Sequence, residues 1–416
     1  MIMPTTSSEI PRAGHRANIP TWVRAAGLCA IVLSFGASLA WRPPPAPSAG
    51  FAWRDEPGPP PSAGRPVYRE RFVNAGLTPF SHSAAVVELE DGRLRAFWKG
   101  GTTEGKHDVA IYSAVLDRHD GQWSPETEII SRRETRRRLW RHVIALGNPV
   151  AMRDGDRGIL LWYVSVSVGG WSGSSINMVR SDDDGETWSA PRRLITSPFF
   201  NLSTLVKGPP FHFEDGTIGL PVYHENMGKF AELLRLSADG DVLHKQRLSW
   251  GRSTLQPVIV PSSRTEATCF LRRAGSAPRR LIALSTDDGG RTWTAPATLE
   301  TPNPGSPVAA ASLDSGELLL VFNDVPRGRG SLALSVTDHD ARQHPVVRTL
   351  ERSTAEFGEG LSYPHIVRTD DGDYHIFYTW HRIRIRHVHF NQSWLTQHLA
   401  SRWHPSSALG AAPLSQ

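Results

Sequence analysis

The 416-residue sequence predicts an all-β protein, a six-bladed β-propeller that follows an N-terminal hydrophobic segment. Two near-identical turn motifs, a second turn motif that recurs along the chain, and short apolar runs of strand type between them predict this fold. No long segment with a helical period of 3.6 residues interrupts these runs. Because radial repetition of small sheets protects their edges, we expect one propeller rather than several domains.

The first motif, (Ser/Thr)-x-Asp-x-Gly-x-Thr-Trp, occurs at residues 181–188 as SDDDGETW and at 286–293 as TDDGGRTW. Aspartate side chains bond to nearby backbone amides and glycine adopts positive φ, so these residue types favour a turn. Neither copy has the further oxygen ligands at fixed spacing that a calcium loop requires. We therefore interpret these aspartates as structural. Degenerate copies at 116–124 and 334–341 support the repeat.

The second motif is a polar turn with glycine, followed by a short apolar strand. Five copies begin at residues 90, 153, 214, 314 and 370, and a degenerate sixth begins at 262. The intervals, about fifty to about sixty-five residues, suffice for four strands and their turns. Six such units fit between residues 67 and 395, which we predict to be the propeller.

The two ends differ from this pattern. Residues 1–41 combine arginines with an apolar run that is short for a spanning helix and long for the core of a cleaved signal. We expect a signal peptide or an uncleaved membrane anchor, and export to the periplasm or the cell exterior. Residues 42–66, rich in Pro, Gly, Ala and Ser, predict a linker, and residues 396–416 predict a C-terminal tail.

The charge restricts the kinds of binding partner that we expect, and the cysteine content restricts the possible disulfides. The formal net charge is +5, and much of the excess lies in RRETRRRLWRH at 132–142. We interpret this run as a solvated loop, with an anionic glycan or a lipid surface as the next alternative. An exported propeller argues against nucleic acid as a partner. The cysteines, Cys29 and Cys269, lie in the N-terminal segment and in a predicted strand, so no disulfide within the propeller is expected.

Candidate site residues follow from propeller geometry, because the inner strands converge on one axis and their ends meet at one mouth. Polar residues at predicted strand ends are His82, Glu104, Asp108, Asn148, Gln256, Arg272, Arg329, Tyr363 and Arg382. His387 and His389 share one face of a predicted strand, but no third ligand has recognisable spacing, so no metal site is predicted.

The Asp boxes, the six hairpins and the segments between them resemble the sialidase (neuraminidase) superfamily, in particular bacterial proteins with Asp-box (BNR) repeats. The resemblance covers residues 67–395. It implies an exo-acting, retaining glycoside hydrolase with a tyrosine nucleophile, a glycan or glycoconjugate substrate and no cofactor. Tyr363 in GEGLSYPHI then matches the nucleophile and Asp108 matches the acid/base. Arg272 and Arg329 match two of the three arginines that clamp the substrate carboxylate.

Two positions depart from the family pattern. His82 stands where the family has its first clamp arginine, and Gln256 stands where the family has the glutamate that activates tyrosine. Glu225 and Glu359 are the alternatives for that base. From the strand-end positions and the resemblance together, we expect substrate binding by His82, Glu104, Asn148, Gln256, Arg272, Arg329 and Arg382.

Because of these departures, three functions stay open. The first is a sialidase-like hydrolase for sialic acid or another, acidic glycoside. The second is a lyase or hydrolase for uronic-acid polysaccharides, in which His82 and Tyr363 act as base and acid on a proton next to a carboxylate. The third is a glycan-binding propeller without catalysis.

Overall fold

A computed structural model of the chain describes residues 20–40, 49–53, 64–117, 120–155, 158–196, 203–225, 228–275, 278–353 and 360–403. The chain divides into two compact units, Met1–Pro45 and Ala46–Gln416. The described part of the first unit is helix α1, Thr21–Ala40. Of the helices in the described ranges, none is both long enough and apolar enough to cross a membrane. The role assigned to residues 1–41 stays a prediction.

The second unit is almost entirely β-structure. In chain order its strands are β1 (Tyr68–Phe72), β2 (Phe80–Glu88), β3 (Leu94–Gly101), β4 (Ala110–Leu116), β5 (Thr127–Ile130), β6 (Ala145–Arg153), β7 (Ile159–Ser167), β8 (Gly170–Ser181), β9 (Arg192–Arg193), β10 (Leu205–Val206), β11 (Phe211–His212), β12 (Ile218–His224), β13 (Phe230–Leu236), β14 (Val242–Arg247), β15 (Thr254–Pro261), β16 (Ala267–Arg273), β17 (Arg280–Thr286), β18 (Ala297–Pro302), β19 (Ala309–Ser312), β20 (Leu318–Phe322), β21 (Ser331–Thr337), β22 (Val346–Arg352), β23 (Leu361–Arg368), β24 (Tyr374–Trp380) and β25 (Arg384–Phe390).

These strands form six antiparallel sheets. β2–β5, β6–β9, β10–β14, β15–β18 and β19–β22 form blades 1 to 5, and blade 6 has the order β1-β25-β24-β23. Strand β1 from the start of the unit thus supplies the outermost strand of the last blade, which closes the ring through backbone hydrogen bonds. In blade 3, Pro209 and Pro210 separate β10 from β11, and both pair with β12. The predicted six-bladed propeller is confirmed.

The cores lie between neighbouring blades. Trp162 of blade 2 packs in one cluster with Leu220 of blade 3, and Phe97 of blade 1 packs in another with Tyr163 of blade 2. All four side chains are fully buried. Each sheet is therefore apolar on both faces, which explains the nearly continuous apolar runs in the sequence.

The Asp boxes are turns between the third and fourth strands of blades 2 and 4. In the first box the Asp183 carboxylate accepts hydrogen bonds from the Thr187 backbone N–H at 2.8 Å and from the Ser181 hydroxyl at 2.7 Å. In the second, Asp288 accepts from the Thr292 backbone N–H at 2.9 Å. The structural interpretation of these aspartates is confirmed.

The basic run at 132–142 is not a loop but contains helix α2, Arg132–Leu139. The Ser131 hydroxyl accepts a hydrogen bond from the Glu134 backbone N–H at 3.1 Å, which caps the first turn. Arginine and leucine favour a helix once it is capped. The expectation of a loop was wrong because it weighed the charges of this run and overlooked its capping residue.

The predicted linker and the predicted tail are described only in part, at residues 49–53 and 64–66 and at residues 396–403. Phe51, within the linker predicted at 42–66, is fully buried with its ring 5.5 Å from that of Phe213. Helix α3, Gln392–Trp403, begins before the predicted tail and packs Trp394 against Tyr68, with ring centroids 4.7 Å apart. The boundaries assigned to linker and tail stay predictions.

Candidate active site at the propeller mouth

The candidate residues lie on the face of the ring opposite to the Asp boxes. In an antiparallel blade, the start of the first strand and the turn between the second and third strands share one face. Starts of inner strands carry His82, Asn148, Gln256 and Tyr363, and ends of second strands or the following loops carry Glu104, Asp108, Arg272, Arg329 and Arg382. The topology thus places the predicted residues around one mouth.

A backbone irregularity orients three of the inner-strand residues. Strands β2, β15 and β23 each shift register against the next strand at the same place in the blade. Ser83, Gln256 and Tyr363 adopt positive φ there, 60°, 51° and 55°. Such a conformation is strained for residues other than glycine and clusters at functional sites. A bulge re-aims the side chains next to it, and those of Gln256 and Tyr363 bond to each other.

Gln256 connects two tyrosines and an arginine. Its Nε2 donates to the hydroxyl oxygen of Tyr363 at 2.9 Å and to that of Tyr223 at 3.3 Å. Its Oε1 accepts from Arg272 Nη1 at 2.9 Å, which fixes the orientation of the amide. Gln256 therefore acts as a donor toward Tyr363 and has no capacity to remove its proton.

Tyr223, which the sequence did not single out, is 2% exposed beside Tyr363. Burial raises the pKa of Tyr223 well above its usual range, and Tyr363 and the negative charge of Glu225 raise it further. The negative charge of Glu225 therefore acts on Tyr223. The Ser203 hydroxyl accepts a hydrogen bond from the Glu225 backbone N–H at 2.9 Å. Glu359, the other alternative for the base, lies outside the described residues.

His82 lies against Tyr363, with ring centroids 4.1 Å apart, and is 1% exposed. Its Nδ1 and the Thr379 hydroxyl are 2.9 Å apart. Burial lowers the pKa of His82 well below its usual range, and Lys99, Arg382, Arg329 and Arg272 lower it further through their positive charges. The imidazole is thus neutral at physiological pH, and four cations surround it.

Glu104 joins two of these cations. It accepts from Lys99 Nζ through Oε1 and from Arg382 Nη1 at 2.8 Å through Oε2. Burial alone would raise the pKa of Glu104, but the charges of Lys99 and Arg382 outweigh it and lower the pKa. Lys99 is 2% exposed, and its Nζ lies 5.5 Å from the ring of Trp171. An ionised carboxylate therefore neutralises part of the positive charge at the mouth.

Two predicted residues remain apart from this network. Asp108 is exposed on the β3–β4 loop, where Oδ2 accepts from the Thr102 backbone N–H at 2.6 Å and from the Thr102 hydroxyl at 2.5 Å. The Thr102 hydroxyl bond lowers the pKa of Asp108, so its carboxylate is ionised and faces solvent. Asn148 donates from Nδ2 to the Val206 carbonyl at 3.2 Å and so ties blade 2 to blade 3.

Arg329 and Lys207 complete the surroundings of the axis. Arg329 Nη2 donates to the Gly305 carbonyl at 3.4 Å. Lys207 is 5% exposed, and its Nζ donates to the carbonyls of Val308 at 2.8 Å and Pro364 at 2.7 Å. Burial lowers the pKa of Lys207 to about 7. Since Pro364 follows Tyr363, this lysine supports the strained strand that carries the tyrosine.

Four residues near the candidate site were not predicted from the sequence: Lys99, Tyr223, Lys207 and Thr379. One signal was available for Lys99, because a lysine inside the apolar strand AFWKGG must be buried and paired. The other contacts join residues far apart in sequence, such as Thr379 and His82, which are 297 positions apart. Residue type alone gives no indication of them.

Two of the three histidines of β24 and β25 bond to each other, and the third bonds to a carboxylate. His387 Nε2 and His375 Nδ1 are 2.9 Å apart, and His389 Nε2 and Asp373 Oδ2 are 2.6 Å apart. No group of three or more His, Cys, Asp or Glu residues in the described ranges is arranged to hold a metal ion.

Comparisons with known proteins agree with this architecture. A family model described as a BNR repeat-like domain matches residues 92–376. The chain is similar to the solved structure of the Hadza microbial sialidase Hz136, with 16% identity and a TM-score of 0.63 over 76% of this chain and 67% of that one. It is also similar to a protein of unknown function from Dyadobacter fermentans, with 17% identity and a TM-score of 0.61 over 78% and 99%.

A third similar structure is the intramolecular trans-sialidase from Ruminococcus gnavus in complex with oseltamivir carboxylate. It is 12% identical, with a TM-score of 0.58 over 78% of this chain and 97% of that one. Among curated protein sequences none matches the chain. At these identities the structural likeness shows the fold, and the chemistry has to be argued from the mouth residues themselves.

Proposed function

Because this chain belongs to the BNR repeat-like family within the sialidase-like superfamily, we propose that it is an enzyme that cleaves an acidic glycan at the propeller mouth. The observation that carries the proposal is the charge around His82. Four basic side chains lower the pKa of this one buried histidine, and Glu104 pairs with two of them. A site with surplus positive charge suits a sugar that carries a carboxylate.

The first candidate reaction is retaining hydrolysis by an exo-acting glycosidase, with sialic acid or another acidic sugar as substrate. Tyr363 attacks the anomeric carbon, because a neutral phenol approaches a carboxylate-bearing carbon without the repulsion that an anionic nucleophile meets. Arg272 and Arg329 bind the substrate carboxylate. The bond to the leaving-group oxygen breaks as that oxygen takes a proton from Asp108, and water then releases the sugar from the tyrosine.

This reaction requires a base for the Tyr363 proton, and Gln256 does not supply one. Glu225 is our candidate because its charge reaches Tyr223, whose hydroxyl shares the Gln256 amide with Tyr363. For this transfer, hydrogen bonds from Tyr363 to Tyr223 and from Tyr223 to Glu225 have to form when substrate binds, and Tyr223 then passes the proton on without itself becoming ionised. The raised pKa of Tyr223 is consistent with a group that never carries a charge.

The acid role of Asp108 requires the β3–β4 loop to rearrange. The loop holds Asp108 ionised through two bonds from Thr102, and a general acid must be protonated when the leaving group departs. Release of the Thr102 bonds on substrate binding removes the interaction that lowers the pKa of Asp108.

His82 favours a second candidate, a lyase for uronic-acid polysaccharides. It is neutral, its ring lies against Tyr363, and its Nε2 has no hydrogen-bond partner among the described residues. A neutral imidazole removes the proton next to a uronate carboxylate, whose developing charge the surrounding cations stabilise, and Tyr363 protonates the leaving oxygen. The products are an unsaturated uronate and a new chain end.

Product analysis separates these candidates. The full-length protein is incubated with an aryl sialoside, aryl uronides and polyuronates, and products are followed by released aglycone, reducing sugar and ultraviolet absorbance. A hydrolase releases aglycone and saturated sugar and loses turnover in Tyr363→Phe. A lyase gives an absorbing, unsaturated product and loses turnover in His82→Ala. Binding of these sugars without turnover identifies the glycan-binding propeller.

The site of action is part of the same proposal. The N-terminal segment with its arginines and apolar run favours export, with the segment acting as a signal peptide or an uncleaved anchor. Fractionation of cells that express the full chain, with immunodetection of both ends, tests this. A cytoplasmic product with an intact N-terminus would contradict it.

A further inference from the structure

Helix α2 with the following Trp140 forms a basic and aromatic edge beside the mouth that the proposed reaction does not use. The helix connects β5 of blade 1 to β6 of blade 2, so it lies on the same face as the candidate site. Its sequence, RRETRRRL, contains five arginines and one glutamate. We call helix α2 and Trp140 the basic edge.

The inner side of the basic edge is held rigidly. Arg132 Nε donates to the His107 carbonyl at 2.7 Å, and its Nη1 donates to the Val143 carbonyl at 3.1 Å. Thr135 is fully buried, with its hydroxyl 3.0 Å from that of Tyr163. His107 belongs to the loop that carries Glu104 and Asp108, so the basic edge directly adjoins the candidate site.

The outer side carries positive charge without matching carboxylates. Arg138 pairs with Glu134 at 2.9 Å. Arg133, Arg136 and Arg137 are exposed and have no acidic partner among the described residues. Arg133 and Arg137 are four positions apart on one helix face, where like charges destabilise a helix. The helix dipole accounts for basic residues in the last turn, but it does not favour Arg133 in the first.

Trp140 adds an aromatic surface at a costly position. It ends the helix in the left-handed region at φ 51°, where glycine is usual, and its side chain is 94% exposed. A residue other than glycine is strained in this conformation, and an exposed indole buries no apolar surface. Neither feature of Trp140 therefore stabilises the fold. An exposed indole face does offer a stacking surface for the apolar face of a pyranose ring.

A pair of half-buried arginines continues this surface. Burial lowers the pKa of Arg141, and the positive charge of Arg193 on β9 lowers it further, so the two guanidinium groups repel each other. Arg141 Nη1 also donates to the Ser175 hydroxyl at 3.3 Å. Arg193 is the register partner of Asn177 on β8, two residues from Ser175, so both arginines lie at the same part of this strand and favour an anion beside them.

We infer that the basic edge and the Arg141–Arg193 pair bind the body of an extended polyanionic glycan whose end enters the mouth. Exposed guanidinium groups contact successive carboxylates along the polymer, and the Trp140 indole packs against one of its rings. The inference rests on the proposed function and makes it more specific, since it selects polymeric acidic glycans over single acidic sugars.

The test compares a polymer with a small substrate in the full-length protein. The variants are Arg136→Ser/Arg137→Ser, Trp140→Ala and Trp140→Gly, and the last one keeps the left-handed turn. The control, Arg69→Ser/Arg348→Ser, removes the same charge from exposed positions on outer strands β1 and β22. For each protein, Kd for polysialic acid, polygalacturonate and neutral dextran is measured at low and high salt, together with kcat and KM on the polymer and on an aryl glycoside of the same sugar.

We expect the double arginine variant and each Trp140 variant to weaken polymer binding about fivefold to tenfold, because each removes exposed charge contacts or one stacking contact. The double arginine variant also loses part of the salt dependence. Turnover of the aryl glycoside and affinity for dextran stay at the wild-type level, as does polymer binding by the control.

Two results would overturn the inference. One is polymer binding by the variants that equals wild type or falls no further than in the control. The other is loss of binding to phosphatidylserine vesicles with polymer binding unchanged, which would assign the basic edge to a membrane surface. The Kd measurement does not require turnover. If the protein cleaves none of the glycans, the proposed function is contradicted, and the Kd values of the variants still test the basic edge.

Discussion

Replacement of Gln256 by glutamate tests the step of the proposed hydrolysis in which a base takes the proton of Tyr363. Gln256 is 1% exposed, and its Oε1 accepts from Arg272 Nη1 at 2.9 Å. In Gln256→Glu the contact with Arg272 becomes a charge-assisted pair. The second carboxylate oxygen takes the place of Nε2, which in the wild-type protein donates to Tyr363. Tyr363 then donates to an acceptor 2.9 Å away that is able to take its proton.

Two opposing effects determine how much kcat/KM changes. A positioned general base contributes roughly 10²- to 10⁴-fold to a rate. Burial of the new carboxylate opposes this gain, and the pair with Arg272 offsets that cost only in part. We expect kcat/KM of the hydrolase to rise about tenfold to a hundredfold, or about 1.4 to 2.7 kcal/mol of transition-state stabilisation.

The assay measures kcat/KM for an aryl glycoside across pH in wild type, Gln256→Glu and Gln256→Met. The methionine variant keeps the volume and loses all three side-chain hydrogen bonds, so it should show no gain. The gain should also vanish in Gln256→Glu/Tyr363→Phe. A folded Gln256→Glu protein whose kcat/KM falls tenfold or more would refute the hydrolase reasoning.

Three further predictions concern the scaffold. For Lys207, whose pKa is about 7 when folded and about 10.4 when unfolded, the unfolded state binds more protons between these values, so the free energy of unfolding should rise with pH by up to about 1.4 kcal/mol per unit from pH 7 to 9. Denaturant titrations check this, and Lys207→Met should flatten the slope. Glu104→Gln leaves the buried Lys99 ammonium without its carboxylate and should lower the free energy of unfolding by about 3 kcal/mol, while affinity for acidic sugars rises. Asp183→Ala removes the hydrogen bonds of the first Asp box and should cost about 1–3 kcal/mol with kcat unchanged, so a loss of turnover in stable protein would contradict its structural role.

The sequence predicted those parts of the molecule that local chemistry determines. The box 181–188 carries its own hydrogen bonds, so its spacing suffices to identify a turn, and its repetition at 286–293 indicates the blades. The ends of inner strands meet at one mouth in any propeller. Tyr363 and Gln256 could therefore be singled out from their places at the starts of predicted inner strands.

Other features depend on contacts that a linear pattern does not contain. Gln256 and Tyr363 adopt positive φ although neither is glycine, because the bulged inner strands impose it. Lys207 donates to the carbonyls of Val308 and Pro364, which are distant in sequence and come close to it only in the folded propeller. Asp108 matched a family position, yet its orientation depends on Thr102, whose bonds turn it toward solvent.

The charge around His82 makes acidic sugars the expected ligands, and one comparison tests this most directly. Full-length wild type and Tyr363→Phe are titrated with acidic glycosides and with their carboxylate-reduced, neutral counterparts, and Kd and kcat are measured for each. We predict binding and turnover of an acidic glycoside but not of its neutral counterpart, with kcat lost and Kd retained in Tyr363→Phe. Equal affinity for both forms, or turnover that survives the loss of the tyrosine hydroxyl, would contradict an acidic-glycan enzyme that acts through Tyr363.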